Sequence, residues 1–209
     1  VATVLALRGE TEYATLAIIS GAVFDFFDGM SARLLKVSSP IGKELDSLAD
    51  VVTFGVAPSA LLYNFLSTTY GAEYPCAAVP FAAFLMAAFS ALRLAKFNLD
   101  TRQTSSFIGL PTPANALFWG SLLVSGKTWG IEQVNAWIWI LPILLFCWLL
   151  VAEIPMFALK FKNLSWADNK IKYLFLMGSI IIIPLLGKGC FAGIIAWYVL
   201  LSLLTQRNK

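Results

Sequence analysis

Four aspartates stand where their types and spacing could do chemistry: Asp25, Asp28, Asp46 and Asp50, within FDFFDGMSARLLKVSSPIGKELDSLAD at residues 24–50. Asp25 and Asp28 are three apart and Asp46 and Asp50 four apart, and on a helix both spacings bring a pair to one face. Two helices joined by a short loop pack as neighbours, so the four carboxylates can converge. Bare carboxylates that close repel, and one or more would take a proton. Divalent cations remove the conflict. Mg²⁺ or Mn²⁺, hard and oxygen-seeking, suits an all-carboxylate site and usually shares its shell with substrate phosphate. Gly29, Ala32 and Gly42 leave room beside the carboxylates for a bulky anion, and Arg33, always charged, suits a phosphate partner. The plainer alternative, helix caps or ion pairs with Arg33, Lys36 and Lys43, accounts for one or two such residues better than for four interleaved with glycine. With no histidine anywhere in the chain, proton transfer and metal binding must rest on Asp and Glu.

These residues need helices to position them, and the chain is rich in helix-length apolar runs. Of 209 residues 59% are hydrophobic and 13% charged, with a mean hydropathy of +0.78. A soluble domain carries about 25% charged residues. The expected fold is all-α, a polytopic transmembrane helical bundle of about eight spans, forming one domain over residues 1–209. The first span ends near Leu7 and reads as the truncated tail of a hydrophobic helix, since the chain opens VATVLALRGE without methionine. The others are expected over 13–35, 44–66, 76–97, 111–125, 131–159, 173–186 and 190–204. The last two are short, and a re-entrant hairpin is the alternative there. Continuous apolar runs without period-two alternation argue against a β-barrel. Cys76, Cys147 and Cys190 form no CxxC pair and read as packing residues. The net charge of +3 is too small to suggest nucleic acid.

Charge orients the bundle. With the loop after the second span on the cytoplasmic side, twelve of the fifteen Lys and Arg fall inside, and Arg8, Lys127 and Lys188 fall outside. That asymmetry is the positive-inside pattern, and it places the aspartates at the cytoplasmic face. The expected location is the cell (inner) membrane.

The stretch reads Asp25-x2-Asp28-Gly29-x2-Ala32-Arg33-x8-Gly42-x3-Asp46-x3-Asp50, and every fixed position matches the signature of the CDP-alcohol phosphatidyltransferase family, which the chain resembles. The resemblance implies an integral-membrane enzyme that moves a phosphatidyl or similar group from a CDP-linked donor to an alcohol and releases CMP. It implies that Asp25, Asp28, Asp46 and Asp50 hold two metals, Mg²⁺ or Mn²⁺, and that Asp50 also takes the acceptor's proton. Gly29, Arg33 and Ser39 would contact the nucleotide and its diphosphate, with Ala32 and Gly42 lining the CDP-diacylglycerol site, and the protein would be a homodimer. The family's Pro-Asn-x-x-Thr element in the first helix is absent from these residues.

For the acceptor, DSLADVVTFGVAPSALLY (46–63), ALRLAKFN (91–98) and FIGLPTPANA (107–116) resemble the phosphatidylserine synthase branch of that family, and FALKFKN (157–163) does so more loosely. The resemblance implies L-serine, whose carboxylate needs a cation and whose ammonium needs an acceptor. Arg93 is the first choice for the carboxylate because its planar fork suits bidentate binding. Lys96, Asn98, Thr112 and Asn115 are the further candidates, although basic residues here also serve as inner-face anchors. Glu153 is a polar residue in an apolar stretch, fit either to bind the ammonium or to complete a polar network, and it stays outside the expected site. Lys160, Lys162, Lys170 and Lys172, with Trp166 among them, read as an interfacial anchor. Two competitors stand beside serine transfer: the same chemistry on glycerol phosphate or an inositol phosphate, and a cation- or proton-coupled transporter. A transporter would spread its carboxylates through the membrane depth.

Overall fold

Ser39 and Pro40 show why the second aspartate pair has a helix of its own. Ser39 is extended (φ −136°, ψ 146°) and its Oγ accepts from the Gly42 amide at 3.1 Å, while Pro40 occupies the first turn, where no amide hydrogen is missed. This is the start of α3 (Pro40–Tyr70) in the computed structural model, which describes residues 1–36, 39–71, 76–100, 107–157, 159 and 165–206. Before it come α1 (Ala2–Leu7) and α2 (Thr11–Leu35). After it come α4 (Leu85–Leu99), α5 (Thr112–Val124), α6 (Ile140–Val151), α7 (Trp166–Leu186) and α8 (Cys190–Gln206). The fold is all-α apart from two two-residue strands, β1 (Phe107–Ile108) and β2 (Pro155–Met156), which pair antiparallel.

Four stretches among the described residues are long and apolar enough to cross a membrane: Thr11–Ala32, Pro40–Tyr70, Ala78–Leu99 and Asn169–Thr205. Ala136–Val151 is a shorter apolar helix. Leu141, Leu144, Leu145 and Trp148 on α6, and Ile180, Ile181, Ile183 and Leu185 on α7, point outward. Apolar surface on this scale belongs against lipid rather than water. The interior is built around Trp119, which lies against Phe118, Trp139 and Phe146, with Phe65 extending the aromatic cluster.

Three departures from the expected spans have local causes. The segment expected as one helix over 131–159 starts with 3₁₀ turns at Ile131–Gln133 and Ala136–Trp139, is α-helical from Ile140 to Val151 and breaks at Ala152 (ψ 141°). Pro155 lacks an amide hydrogen and pushes its neighbour toward extended backbone, so the chain continues as β2. The stretch expected as helix from Cys76 starts as a 3₁₀ helix, Cys76–Phe84, with Pro80 inside it, and becomes α-helical at Leu85. Within α3, residues Val51–Val56 form a π-helix that begins directly after Asp50. At the other end, Asn169 (φ −124°) kinks the first turns of α7, and the helix runs on to a turn at Gly187–Gly189 before α8. Cys147 is buried and Cys190 half-buried, both as free thiols.

Small residues let the helices approach. A Cβ at Gly21 would stand 2.7 Å from Thr53 Cγ2 of the π-segment, and one at Gly55 would stand 3.1 Å from Ser90 Cβ of α4. Close backbone approach of this kind is how helices gain packing energy where no water is displaced. Gly21→Ala is expected to destabilise the α2–α3 contact by about 1–3 kcal/mol. Thermal unfolding in detergent should show the loss, and Thr53→Ala in the same chain should recover much of it by removing the clashing methyl.

Candidate active site

α2 ends at Leu35 and α3 begins at Pro40, so Asp25 and Asp28 near the end of one helix lie at the same end of the bundle as Asp46 and Asp50 near the start of the next. Asp25 links the two pairs. Asp25 lies within electrostatic reach of Asp46 and Asp28, and Asp50 within reach of Asp25, Asp46 and Arg93. Among the described residues no three acidic or sulfur side chains stand close enough to form a ready metal cage. The donor set nevertheless suits a hard divalent cation: four carboxylates from two adjacent helices, with room beside them for a further ligand.

That room is an open cavity of about 800 Å³. Asp28, Gly29, Ala32 and Lys36 line it from α2, and Ser39, Gly42, Lys43 and Asp46 line it from α3. A Cβ at Gly29 would meet nothing within 4 Å, so the glycine keeps space open rather than serving packing. Gly42 is different: a Cβ there would press on Ser39 Oγ at 2.9 Å, so its smallness protects the helix cap. Ser39 faces the cavity with its hydroxyl already engaged by that cap. Lys36 and Lys43 are cavity residues that spacing alone left as possible aspartate partners. Lys36, the residue after α2, has φ +54°, a left-handed conformation unusual for a side-chain-bearing residue and often found at functional sites. Arg33 lies on α2 between Ala32 and Leu34, and its side chain is outside the described ones.

A second cavity, of about 400 Å³, opens between α4 and the end of α6. Arg93, Lys96, Phe97, Leu99 and Asp100 line one side, and Ile108 and Leu150–Glu153 the other. Arg93 is 7% exposed, its Nε has no hydrogen-bond partner, and Asp50 and Tyr198 are its electrostatic neighbours. Asp50 lines neither cavity but lies within electrostatic reach of Asp46 of the first and Arg93 of the second.

The expected acceptor residues separate. Arg93 and Lys96 line the second cavity. Asn98 is spent on structure: its Nδ2 donates to Ser47 Oγ at 3.0 Å and reaches Glu44 at 3.5 Å, while its carbonyl accepts from Lys43 Nζ at 3.1 Å. Asn98 thereby fastens the end of α4 to the first turns of α3. Thr112 and Asn115 are fully buried in the first turn of α5, with Thr112 Oγ1 and both amide atoms of Asn115 unpartnered, and they line neither cavity. Glu153, outside the expected site, lines the second cavity. The chain leaves α6 at Ala152, one residue before it. Lys160 and Lys162 lie outside the described residues, as do Arg102, Arg207 and Lys209. Lys170 and Lys172 start α7, where Trp166 stacks on Tyr173.

A family model described as CDP-alcohol phosphatidyltransferase matches residues 1–149. Curated relatives include a CDP-diacylglycerol–serine O-phosphatidyltransferase from Bacillus subtilis (strain 168), 45% identical over 104 residues, 48% of this chain and 54% of that protein. A protein of the same name from Helicobacter pylori (strain 26695) is 31% identical over 205 residues, 92% of this chain and 83% of that protein. One from Methanocaldococcus jannaschii is 42% identical over 95 residues, 46% of this chain and 42% of that protein. The chain thus spans about half the length of the first and most of the second.

The Asn98 fastening is open to test. Asn98→Ala should lower thermal stability by about 1 kcal/mol, the usual worth of such a hydrogen bond. Adding Ser47→Ala should then cost little more, the non-additivity expected of partners.

Proposed function

Since the chain belongs to the CDP-alcohol phosphatidyltransferase family, we propose that it transfers the phosphatidyl group of CDP-diacylglycerol to the hydroxyl of L-serine, giving phosphatidylserine and CMP. The observation that carries this reading is the position of Asp50, which is in electrostatic contact with the aspartates beside one cavity and with Arg93 of the other. The larger cavity takes the CDP headgroup. Lys36 and Lys43 balance the diphosphate there, and the bare side of Gly29 admits the group; Arg33, on α2, is the further cation that the family signature implies. The acyl chains remain in the bilayer against the outward apolar faces.

Asp25, Asp28, Asp46 and Asp50 would hold Mg²⁺ or Mn²⁺, which when bound offsets the charge developing on the diphosphate oxygens. Asp50 accepts the serine hydroxyl proton as the oxygen bonds to the lipid-side phosphorus. The bond from that phosphorus to the CMP oxygen breaks, and CMP leaves with the electron pair. Arg93 and Lys96 fix the serine carboxylate so that the hydroxyl faces Asp50.

The choice of serine over a phosphorylated alcohol rests on the second cavity's charge. Two cations are matched there by Asp100 and Glu153, and a phosphate dianion would meet both carboxylates. The same proposal includes eight crossings in a single domain over residues 1–209, the aspartate end at the cytoplasmic face of the cell membrane, and a homodimer. The helix order supports the crossings. The Glu12–Lys188 ion pair (2.7 Å) marks the opposite end of α2 from the aspartates, on the side with few basic residues.

CMP release from purified protein, with CDP-diacylglycerol, Mg²⁺ or Mn²⁺ and a panel of alcohols, tests the reading directly. Serine should be the productive acceptor. Release with glycerol phosphate and not serine would move the chain to another branch, and no release with any alcohol would remove the proposal. Asp50→Asn should abolish turnover while retaining donor binding. Gly29→Ala, which meets no clash and gains helix propensity of up to about 1 kcal/mol, should fold normally yet raise the KM for CDP-diacylglycerol.

A further inference from the structure

Glu153 reaches the second cavity by a construction with little slack. α6 stops at Val151, Ala152 turns extended, and β2 begins at Pro155. β2 pairs with β1 in the register Phe107↔Met156 and Ile108↔Pro155, and the Gly109 amide donates to the Ile154 carbonyl at 2.9 Å. The Leu110 amide donates to the Leu149 carbonyl at 2.8 Å, so the segment carrying Glu153 is tied on both sides. Gly109 permits this closure. Its φ is +75°, and a Cβ there would stand 2.8 Å from the Leu150 carbonyl oxygen and 3.0 Å from that of Ala152. Farther along, Tyr198 of α8 donates to the Phe157 carbonyl at 2.9 Å and packs its ring on Phe157 and Phe175. An exposed side chain is thus carried on a fixed backbone.

The cavity's other charges, Arg93, Lys96 and Asp100, all belong to α4 or the residue that ends it. Among the described residues, Glu153 is the one charged lining residue that comes from the opposite wall. A small molecule between the walls therefore meets cations on one side and a carboxylate on the other. That is the charge pattern of a free α-amino acid, with its carboxylate on Arg93 and Lys96 and its ammonium toward Glu153.

We propose that Glu153 is the specificity residue of this site: it binds the acceptor's ammonium, selecting a zwitterionic amino acid over uncharged and phosphorylated alcohols. This inference rests on the serine-transfer reading above. Asp100, on the same wall as the cations, adjusts their net charge and does not replace Glu153. The proposal requires only that Glu153 exchange whatever partner it has for the ammonium.

The experiment compares wild type, Glu153→Gln and Glu153→Asp in CMP release with two acceptors, L-serine and 3-hydroxypropanoate, which lacks the ammonium. Loss of a charge-assisted hydrogen bond predicts a rise of about tenfold or more in the KM for serine in Glu153→Gln. The KM values for 3-hydroxypropanoate and CDP-diacylglycerol should not rise, and Glu153→Asp should recover part of the serine affinity. An unchanged KM for serine overturns the proposal. So does an equal loss with both acceptors, which would mark Glu153 as structural. If wild type itself gives no CMP with serine, the serine reading fails and this inference with it, an outcome visible before any variant is tested.

Discussion

Like charges gathered at the end of an apolar bundle repel, and the arrangement of this protein follows from how that repulsion is accommodated. The four aspartates sit where α2 ends and α3 begins; Asp28 and Asp46 line an open cavity, while Asp25 and Asp50 are half-buried. Cations stand beside them: Lys36 and Lys43 line the same cavity, and Arg93 lines the second. Asp50 is common to both fields. A charge removed from either side would be felt through it, so the two cavities are coupled by electrostatics.

The helices serve this charge arrangement at close quarters. Glycines at 21 and 55 bring α2 and α4 against the π-segment that follows Asp50, and Asn98 fixes the first turns of α3 to the end of α4. Pro40–Asp50, the first part of α3, has no buried residue, whereas Phe54 to Leu62 is largely core. One helix therefore joins an unburied start to an anchored remainder.

What could be read in advance tracks how local each feature is. The aspartate pairs were legible because their spacing is a property of a single helix, and the order of helices because apolar runs are contiguous. The role of Asn98 was not, since its partner Ser47 is fifty-one residues away and only packing joins them. For Glu153 the polar character was legible and the cavity it lines was not. Its apolar surroundings continue the pattern of α6 through a break that Pro155 and the β1–β2 pairing impose from outside. Thr112 and Asn115, expected as acceptor candidates at the start of the fifth span, lie buried and unpartnered inside the bundle.

The π-helix at Val51–Val56 has a consequence for how such a site can change over generations. A π-turn carries more residues than an α-turn, so side chains before it are rotated about the axis relative to those after it. The carboxylate face and the core face of α3 are thus set in phase by this one segment. Shortening it by a residue would swing the aspartates by about 100° while leaving Ala57 to Leu66 seated in the bundle. Helix length here acts as a dial on the direction in which the carboxylates point, separate from the identity of any residue that carries them.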